Sequence, residues 1–445
     1  MDKQRMRKAL VVALAGATLG IVSPLTQAQT IDEAITETME TNPLVLFDAT
    51  RRLTDEQQVK IAKSGYYPKA DLLLGYGYEW TDNAGTAPDS EDMNRREATL
   101  SASQMLYDGY ATKSRVDAAE STASSSALAL LATSEDTALS VTRVYLDVLR
   151  YQQLLDLTNE NLEAHRDTYN SIKRRFDSGF GSESDLQQAE ARLALASSNK
   201  VVADGNLWEA EINFERVVGH PPEDLQMPTD KCCTYLPSTP EDAVAIALTE
   251  HPALLAAIAR HESALAQENV ARSAFHPTLH LELSASSNHG VDASDFREDE
   301  ALAMLRARYN AYNGGADSAR VKQLEHLSKA QRASAIAVQR ELKANARSSW
   351  NKLNNIYQQQ EQLERHSLSA DETRKAYWRQ FEIGQRTLLD LLDSENEYFT
   401  ARSDEINGMF DEWYARYRLL AHVGKLMEAM EVSPDFEKVS LAAAQ

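Results

Sequence analysis

The sequence predicts a mainly α-helical protein with a membrane β-barrel portion, built as two tandem copies of one unit. Three observations predict it. The chain of 445 residues has only 17 Gly and 12 Pro, and 25% of its residues are charged, which is typical of long helices and coiled coils. Short motifs recur at a constant shift, and alternating segments separate the helical runs. The net charge of −21 argues against a nucleic-acid partner, because such proteins usually present a basic surface.

Residues 1–28 have a composition unlike that of the rest of the chain. Four basic residues open the segment: Lys3, Arg5, Arg7 and Lys8. A short apolar run and small residues up to Ala28 follow, which is the pattern of a secretory signal peptide cleaved after Ala28. No Cys lies directly after the apolar run, so a lipid anchor at the new N-terminus is not expected. No later segment has 18 consecutive apolar residues, so this exported chain is predicted to enter a membrane only as a β-barrel.

The chain contains a tandem repeat. "FDSGFGSESDL" (176–186) matches "FEIGQRTLLDL" (381–391), and "LYDGYATKSRV" (106–116) matches "AYNGGADSARV" (311–321), both at a shift of 205 residues. Upstream the shift becomes 209 residues, so a length change falls in the loop-like stretch between about residues 80 and 100. The expected division is a first repeat over 29–236, a second repeat over 237–431 and a C-terminal tail over 432–445.

Each repeat is predicted to contain a helix, two strands and a long helical hairpin. The predicted helices cover 31–64, about 111–175, 182–218, 240–274, about 316–380 and 387–423. The two longest contain no Pro or Gly, and at about 65 residues each is roughly 100 Å long. Apolar residues recur along them at heptad-like intervals, so they need coiled-coil partners, which the returning helices supply.

Four alternating segments are predicted to be strands. One face of segment 70–80 carries the large apolar residues Leu72, Leu74, Tyr76, Tyr78 and Trp80. Segments 97–107 and 279–286 alternate similarly, and 301–309 is assigned from the repeat, since Leu302 and Met304 interrupt its alternation. Alternation fits strands that cross an outer membrane, and it also fits any half-buried antiparallel hairpin. Two hairpins that interrupt long helices in an exported chain favour the membrane.

Four strands cannot close a barrel, because about eight are the practical minimum. An open four-stranded sheet would expose unpaired backbone groups to lipid. The chain is therefore expected to pool its strands with copies of itself. A homotrimer would supply twelve strands in contact with outer-membrane lipid, continued by a cylinder of long helices.

These residues resemble the TolC family of outer-membrane efflux and secretion channels. The resemblance covers the chain from Thr30 to about Glu431 and is most specific in "IGQRTLLDLLDSENEYFTAR" (383–402) and "LYDGY…SRVDAAE" (106–120). It implies a trimer in the outer membrane of a Gram-negative bacterium, with a twelve-stranded barrel and an α-helical tunnel in the periplasm. It also implies two partners, a periplasmic membrane-fusion adaptor and an inner-membrane ABC transporter or proton-driven pump.

Two turns between the long helices carry helix-ending and helix-starting signals. Gly179 and Gly384 supply the backbone freedom to end one helix, and Ser182 and Thr387 are N-caps for the next. Capping alone explains these residues. The resemblance adds that the turns form the periplasmic tips on which an adaptor docks.

The second turn carries more charge than capping needs. Asp390 and Asp393 are three residues apart on one helix face, so three chains would form two carboxylate rings that select cations. By the resemblance these residues constrict the tunnel entrance. The resemblance also implies a latch from Arg386 to the Ser184-Asp185 pair of the first turn. Phe381 replaces the family's Tyr, so one link of that latch is expected to be missing.

The motifs of enzymes and metal sites are missing from the sequence. The ten His show no HExxH motif or paired spacing, and "GYGYEW" opens no helix as a phosphate-binding loop would. We therefore expect no enzyme, cofactor or metal site.

The expected function is a passive exit duct for type I protein secretion, because the "IGQRTLLDLLDSENEYF" segment (383–399) and the short C-terminal tail resemble the secretion-type branch of the family. Multidrug or small-molecule efflux is the alternative within the same class. A periplasmic coiled-coil adaptor or structural protein without membrane strands is the alternative of another class.

Overall fold

The computed structural model describes residues 28–82, 91–292, 294–433 and 436. The predicted signal peptide, apart from Ala28, and most of the predicted C-terminal tail lie outside these residues. The described part is mainly helical with one four-stranded sheet, which confirms the predicted fold class.

Each repeat contributes four helices and two strands in the same order. In the first they are α1 (Ile31–Thr41), α2 (Pro43–Lys63), β1 (Lys69–Thr81), β2 (Glu91–Tyr107), α3 (Ala111–Asp177) and α4 (Glu183–Val218). In the second they are α5 (Pro240–Glu250), α6 (Pro252–Arg272), β3 (Thr278–Val291), β4 (Ser294–Arg308), α7 (Ala316–Glu382) and α8 (Leu388–Val423), followed by α9 (Leu426–Ala429). Helices α3 and α7 both have 67 residues, and α4 and α8 both have 36, so the duplication predicted from the shift is present in the fold.

The prediction of one helix over 31–64 and another over 240–274 is wrong in detail, because each is broken in two. Asn42 leaves the helical region (φ −69°, ψ 124°) and caps α2 by accepting a hydrogen bond from the Leu44 amide at 2.9 Å. Pro43 follows at the first helical position, where its missing N–H costs nothing. His251 and Pro252 break the second helix in the same way.

The four strands are antiparallel in the order β1-β2-β3-β4, and all four are longer than predicted. Strand β2 begins at Glu91, inside the stretch predicted as a loop. One row across one face of the sheet is Leu72, Leu100, Ala285 and Ala301. The neighbouring row on the other face is Asp71, Ser101, Ser284 and Leu302. Strand β4 is confirmed, and the two residues that interrupt its pattern, Leu302 and Met304, lie on the polar face.

The helices pack side by side in a fixed lateral order. Near the sheet the order is α2, α3, α6, α7, and toward the turns it is α4, α3, α8, α7. The main apolar core surrounds Tyr145 of α3, between α1, α4 and α8. Buried Glu135 of α3 accepts hydrogen bonds from the amides of Leu426 (2.9 Å) and Met427 (3.2 Å), which fixes α9 against α3.

One stretch, Pro240–Phe275, is long and apolar enough to cross a membrane by length and composition alone. It consists of α5 and α6, which break at His251 and pack against α3 and α7. Ala243 and Ala247 are fully buried beside Ala346 and Leu353 of α7. The apolar residues of α5 and α6 are therefore those of helices that pack in a protein core.

Candidate gate at the helical tips

The two turns at the far ends of α3 and α7 have one backbone design. Gly179 (φ +78°) and Gly384 (φ +76°) both adopt the left-handed conformation that a side chain disfavours. In the first turn Phe180 N donates to Arg175 O at 2.9 Å, and in the second Gln385 N donates to Gln380 O at 2.8 Å. Both are Schellman turns. The glycines therefore end the helices as their position in the sequence predicts.

The helices that follow begin at the predicted caps. Ser182 accepts a hydrogen bond from the Ser184 amide at 3.1 Å, and Thr387 accepts one from the Asp390 amide at 3.2 Å. Asp390 completes a capping box, because its carboxylate accepts from the Thr387 amide at 3.2 Å and from the Thr387 hydroxyl at 2.9 Å. The hydrogen bonds from Thr387 lower the pKa of Asp390. Asp390 is therefore held ionised at the N-terminus of α8.

Asp393 is held by the other hairpin. Its Oδ1 lies 3.3 Å from Nη2 of Arg192 on α4, and the Asp393 side chain is 61% exposed. Asp390 and Asp393 share a helix as predicted, but one is bound to a cap and the other to a guanidinium of α4. The Arg192 contact joins residues 201 positions apart in the sequence, and no local pattern signals it.

Arg386 makes its contacts within its own hairpin. Its Nε donates to Gln380 Oε1 at 3.0 Å, its guanidinium lies 4.2 Å from the Tyr377 ring centroid, and Nη1 is 3.9 Å from Asp390. Among the described residues it forms no hydrogen bond or ion pair with Ser184 or Asp185. The predicted latch is therefore not formed within one chain, and a latch between chains stays a prediction.

Phe381, predicted as a missing link in the latch, holds the tip through packing. It is 7% exposed and lies in an apolar cluster with Ile172, Ala189, Leu388, Leu391 and Leu392. The Arg175 guanidinium of α3 lies 4.9 Å from the Phe381 ring centroid, which suits a cation–π contact. We name these six residues, together with Arg175, the tip cluster. It joins all four long helices in the part of the chain that the structure describes.

The tip cluster was not predicted, although one signal for it is present. Leucines occupy four of the five positions in "LLDLL" (388–392). Packing one helix face against a single partner helix would need fewer. Leu391 and Leu392 are 0% and 1% exposed and both lie in the tip cluster. Close to the cluster, Arg374 pairs with Asp371 (2.7 Å) and buried Glu395 (3.4 Å), which binds α7 to α8.

Comparison with known proteins defines the class of the chain. The family model for outer membrane efflux proteins matches residues 34–220 and 243–419, so the chain belongs to the outer membrane efflux protein family. It is an outer-membrane channel of the TolC type with a helical tunnel in the periplasm, and such channels are transport ducts rather than enzymes.

Named relatives cover nearly the whole chain. Outer membrane efflux protein BepC of Brucella suis is 27% identical, with 94% of this chain and 90% of BepC aligned. Outer membrane protein TolC of Vibrio cholerae is 23% identical over 95% of this chain and 96% of its own. Alkaline protease secretion protein AprF of Pseudomonas aeruginosa is 23% identical over 83% and 79%. The crystal structure of CusC, a transmembrane channel, has the same fold, with a TM-score of 0.77 at 16% identity over 88% and 91%.

Proposed function

We propose that three copies of this chain assemble into a passive exit duct for type I protein secretion. The observation that carries the proposal is the open four-stranded sheet set on helices of 67 residues. Strands β1 and β4 each leave one edge unpaired, and unpaired backbone groups are costly in lipid. Three copies of four strands give twelve, which is within the range of closed outer-membrane barrels.

Docking at the tips opens the duct. The tips end in Gly179 and Ser182 on one hairpin and Gly384 and Thr387 on the other, where the turns are exposed. A periplasmic adaptor held by an inner-membrane ABC transporter would contact these turns. The gate has two layers: the tip cluster within each chain, and Arg386 with Ser184 and Asp185 between neighbouring chains.

The carboxylates make the gate cation-selective. Three copies of Asp390 and Asp393 form two rings one helical turn apart, and such rings attract cations. Asp390 is the less available carboxylate, because its side chain is 38% exposed and that of Asp393 is 61% exposed. Asp393→Ala is therefore expected to relieve block by a trivalent cation in planar bilayers more than Asp390→Ala does. Unchanged block in both variants would remove the rings from the mechanism.

Small-molecule efflux is the second candidate, favoured by the relative with the higher identity, BepC, which is named for efflux. AprF, named for alkaline protease secretion, favours protein export. Protein export and small-molecule efflux would use the same duct, so the partner transporter determines which cargo is exported. In a strain lacking the protein, loss of a secreted ABC-transporter substrate with unchanged drug susceptibility supports secretion, and the reverse result supports efflux.

Assembly is tested by cell fractionation. A heat-modifiable trimer in the outer membrane, with a pore in planar bilayers, is the expected result. A soluble periplasmic chain without pore activity would overturn the proposal and favour the coiled-coil adaptor instead.

A further inference from the structure

The four-stranded sheet has one apolar face and one polar face. The apolar face carries large side chains that are exposed in the single chain: Leu72, Leu74, Leu100, Leu283 and Leu305. In an outer-membrane barrel an exposed apolar strand face contacts lipid, and the polar face lines the lumen. The apolar face is therefore the outer surface of the proposed barrel.

The register of the sheet fixes how high each residue lies in the membrane. The helices adjoin the sheet at the end that contains Leu279, so this end is periplasmic. His289 lies ten residues further along β3 on the same face. Ten residues correspond to about 26 Å across the membrane, at about 3.4 Å per residue and a strand tilt of about 40°. The apolar band of such barrels is about 25 Å tall, so His289 lies at its outer boundary.

A row of basic and aromatic residues crosses the apolar face at this outer boundary. One residue of each strand contributes, in register: Tyr76, Arg96, His289 and Arg297. We call these four residues the outer row. Its two arginines are the only Lys or Arg residues on the apolar face of the strands that the structure describes.

The periplasmic boundary of the same face is uncharged. Its row consists of Tyr107, Leu279 and Ala307. An arginine that faces lipid is costly at the centre of the bilayer and tolerated near either boundary. Tolerance alone would therefore allow arginine at both ends of the sheet. Its restriction to the outer end indicates an anionic ligand on that side of the membrane.

The two arginines present guanidinium groups suited to phosphate. The Arg96 guanidinium lies 6.0 Å from the ring centroid of Tyr76, which suits a cation–π contact. The Arg297 side chain is 68% exposed, and its Nε donates to Asp299 Oδ1 at 2.9 Å. That contact leaves the two terminal nitrogens of Arg297 for another anion. A planar guanidinium binds phosphate oxygens through parallel hydrogen bonds.

Arg95 shows how an arginine of the polar face is neutralised instead. It precedes Arg96 in β2 and lies on the opposite face, where Glu79 is 2.5 Å away and Glu97 also binds it. Arg96 forms no ion pair with a carboxylate in the described part of the chain. Adjacent residues of one strand therefore carry the same charge in two different settings, one with a partner in the chain and one on the lipid side.

We propose that the outer row binds the phosphate groups of lipid A, the phosphorylated glycolipid of the outer leaflet. Charge complementarity and the height of the row in the membrane identify this ligand, and the aromatic ring of Tyr76 suits the same boundary. A trimer would carry three such rows around its barrel. The inference rests on the proposed trimeric barrel and adds a lipid ligand on its outer surface.

Native mass spectrometry of the purified trimer in detergent tests the proposal, with bisphosphorylated lipid A as the probe. The wild type should retain lipid A, and Arg96→Gln with Arg297→Gln should retain about tenfold less, since charge-assisted hydrogen bonds are of that strength. The matched control is Arg95→Gln with Arg308→Gln, which removes the same charge from the polar face of β2 and β4. This control should retain lipid A as the wild type does.

Single substitutions rank the two arginines. Arg96→Gln should reduce retention more than Arg297→Gln, because Asp299 already neutralises part of the Arg297 charge. Arg96→Lys keeps the charge and loses the planar fork, so its retention should fall between those of the wild type and Arg96→Gln. Equal retention in Arg96→Lys and Arg96→Gln, both at the wild-type level, would exclude Arg96 from the site.

The lipid controls identify the ligand. Lipid A without its phosphates and phosphatidylglycerol should both be retained less than bisphosphorylated lipid A, and inorganic phosphate at equal concentration should not displace it. Equal retention of the dephosphorylated lipid would mean that acyl chains alone bind, and equal retention of phosphatidylglycerol would mean that any anionic lipid does. Displacement by inorganic phosphate would indicate a site for the free ion. Each of these three results would overturn the proposal.

The outcomes also separate the outer row from the proposed function. A wild-type trimer in the outer membrane whose lipid retention equals that of the Arg96→Gln, Arg297→Gln variant would overturn the outer row and leave the duct standing. Absence of a wild-type trimer from the outer membrane would overturn both.

Discussion

The two tip turns share a backbone and differ in what their side chains hold. Phe176 of the first turn is 37% exposed, whereas Phe381, its counterpart in the second turn, is 7% exposed in the tip cluster. Ser182 bonds only to Ser184 nearby, whereas Thr387 and Asp390 form a reciprocal capping box. The two turns therefore have the same geometry, and their side chains anchor the second hairpin more firmly than the first. A gate built on this chain should therefore move at the first turn more readily than at the second.

The strongest way to break this contrast is Phe381→Ala. Truncating a buried Phe to Ala typically lowers the free energy of unfolding by about 3–5 kcal/mol, because apolar contacts are lost and a cavity is left. The substitution weakens the tip cluster. Backbone amides near Ile172 and Leu391 should therefore exchange hydrogen several times faster, as measured by mass spectrometry. Phe176→Ala is the matched control and should change local exchange by little. Equal effects of the two substitutions would mean that the turns are anchored alike.

The features predicted from the sequence were those with local causes. Gly179, Gly384, Ser182 and Thr387 end and start helices through bonds within a few residues, so their roles could be read from the chain. The break at Asn42 was missed, because a Pro also occupies the first turn of an unbroken helix. The burial of Phe381 could not be predicted, because the residues around it come from three other helices.

A difference in charge between the repeats gives the next prediction. Burial raises the pKa of Glu135 to about 7, although two backbone amides favour its ionised form. Its counterpart on α7, Arg340, is exposed. Because the folded pKa is above the unfolded value of 4.5, the folded chain binds the extra proton. This contribution to stability is fully present below about pH 4.5 and is lost as the pH rises to about 7.

Glu135→Gln measures this contribution, which is on the order of 3 kcal/mol for a shift of this size. The wild type should lose more thermal stability between pH 5 and pH 7.5 than the variant does, because Gln does not titrate. Gln keeps a carbonyl oxygen that accepts from one of the two amides that Glu135 binds. Asp156→Asn, at an exposed carboxylate of α3, controls for a general change in charge. Identical pH profiles of wild type and Glu135→Gln would contradict the assignment.

The caps give a smaller effect that sharpens the contrast between turns. Loss of an N-cap typically costs about 1 kcal/mol. Thr387→Ala also releases Asp390 from its capping box, whereas Ser182→Ala removes only the two hydrogen bonds with Ser184, one to its amide and one to its hydroxyl. Hydrogen exchange in the first turn of α8 should therefore increase more in Thr387→Ala than exchange in the first turn of α4 does in Ser182→Ala. The reverse order would show that the first turn is the better capped.

Substitution of Arg386 is expected to have the smallest energetic effect per chain, and its consequence is measured as channel conductance. An exposed ion pair stabilises a structure by about 0–1 kcal/mol. Each contact between Arg386 and Asp185 of a neighbouring chain therefore holds the gate closed only weakly. Three such contacts share one opening, so Arg386→Ser with Asp185→Ala should raise single-channel conductance in planar bilayers. Arg379→Ser, an exposed change in the last turn of α7, should leave it unchanged. If the double variant conducts like the wild type, the tip cluster alone holds the gate, and Phe381→Ala should then be the substitution that opens it.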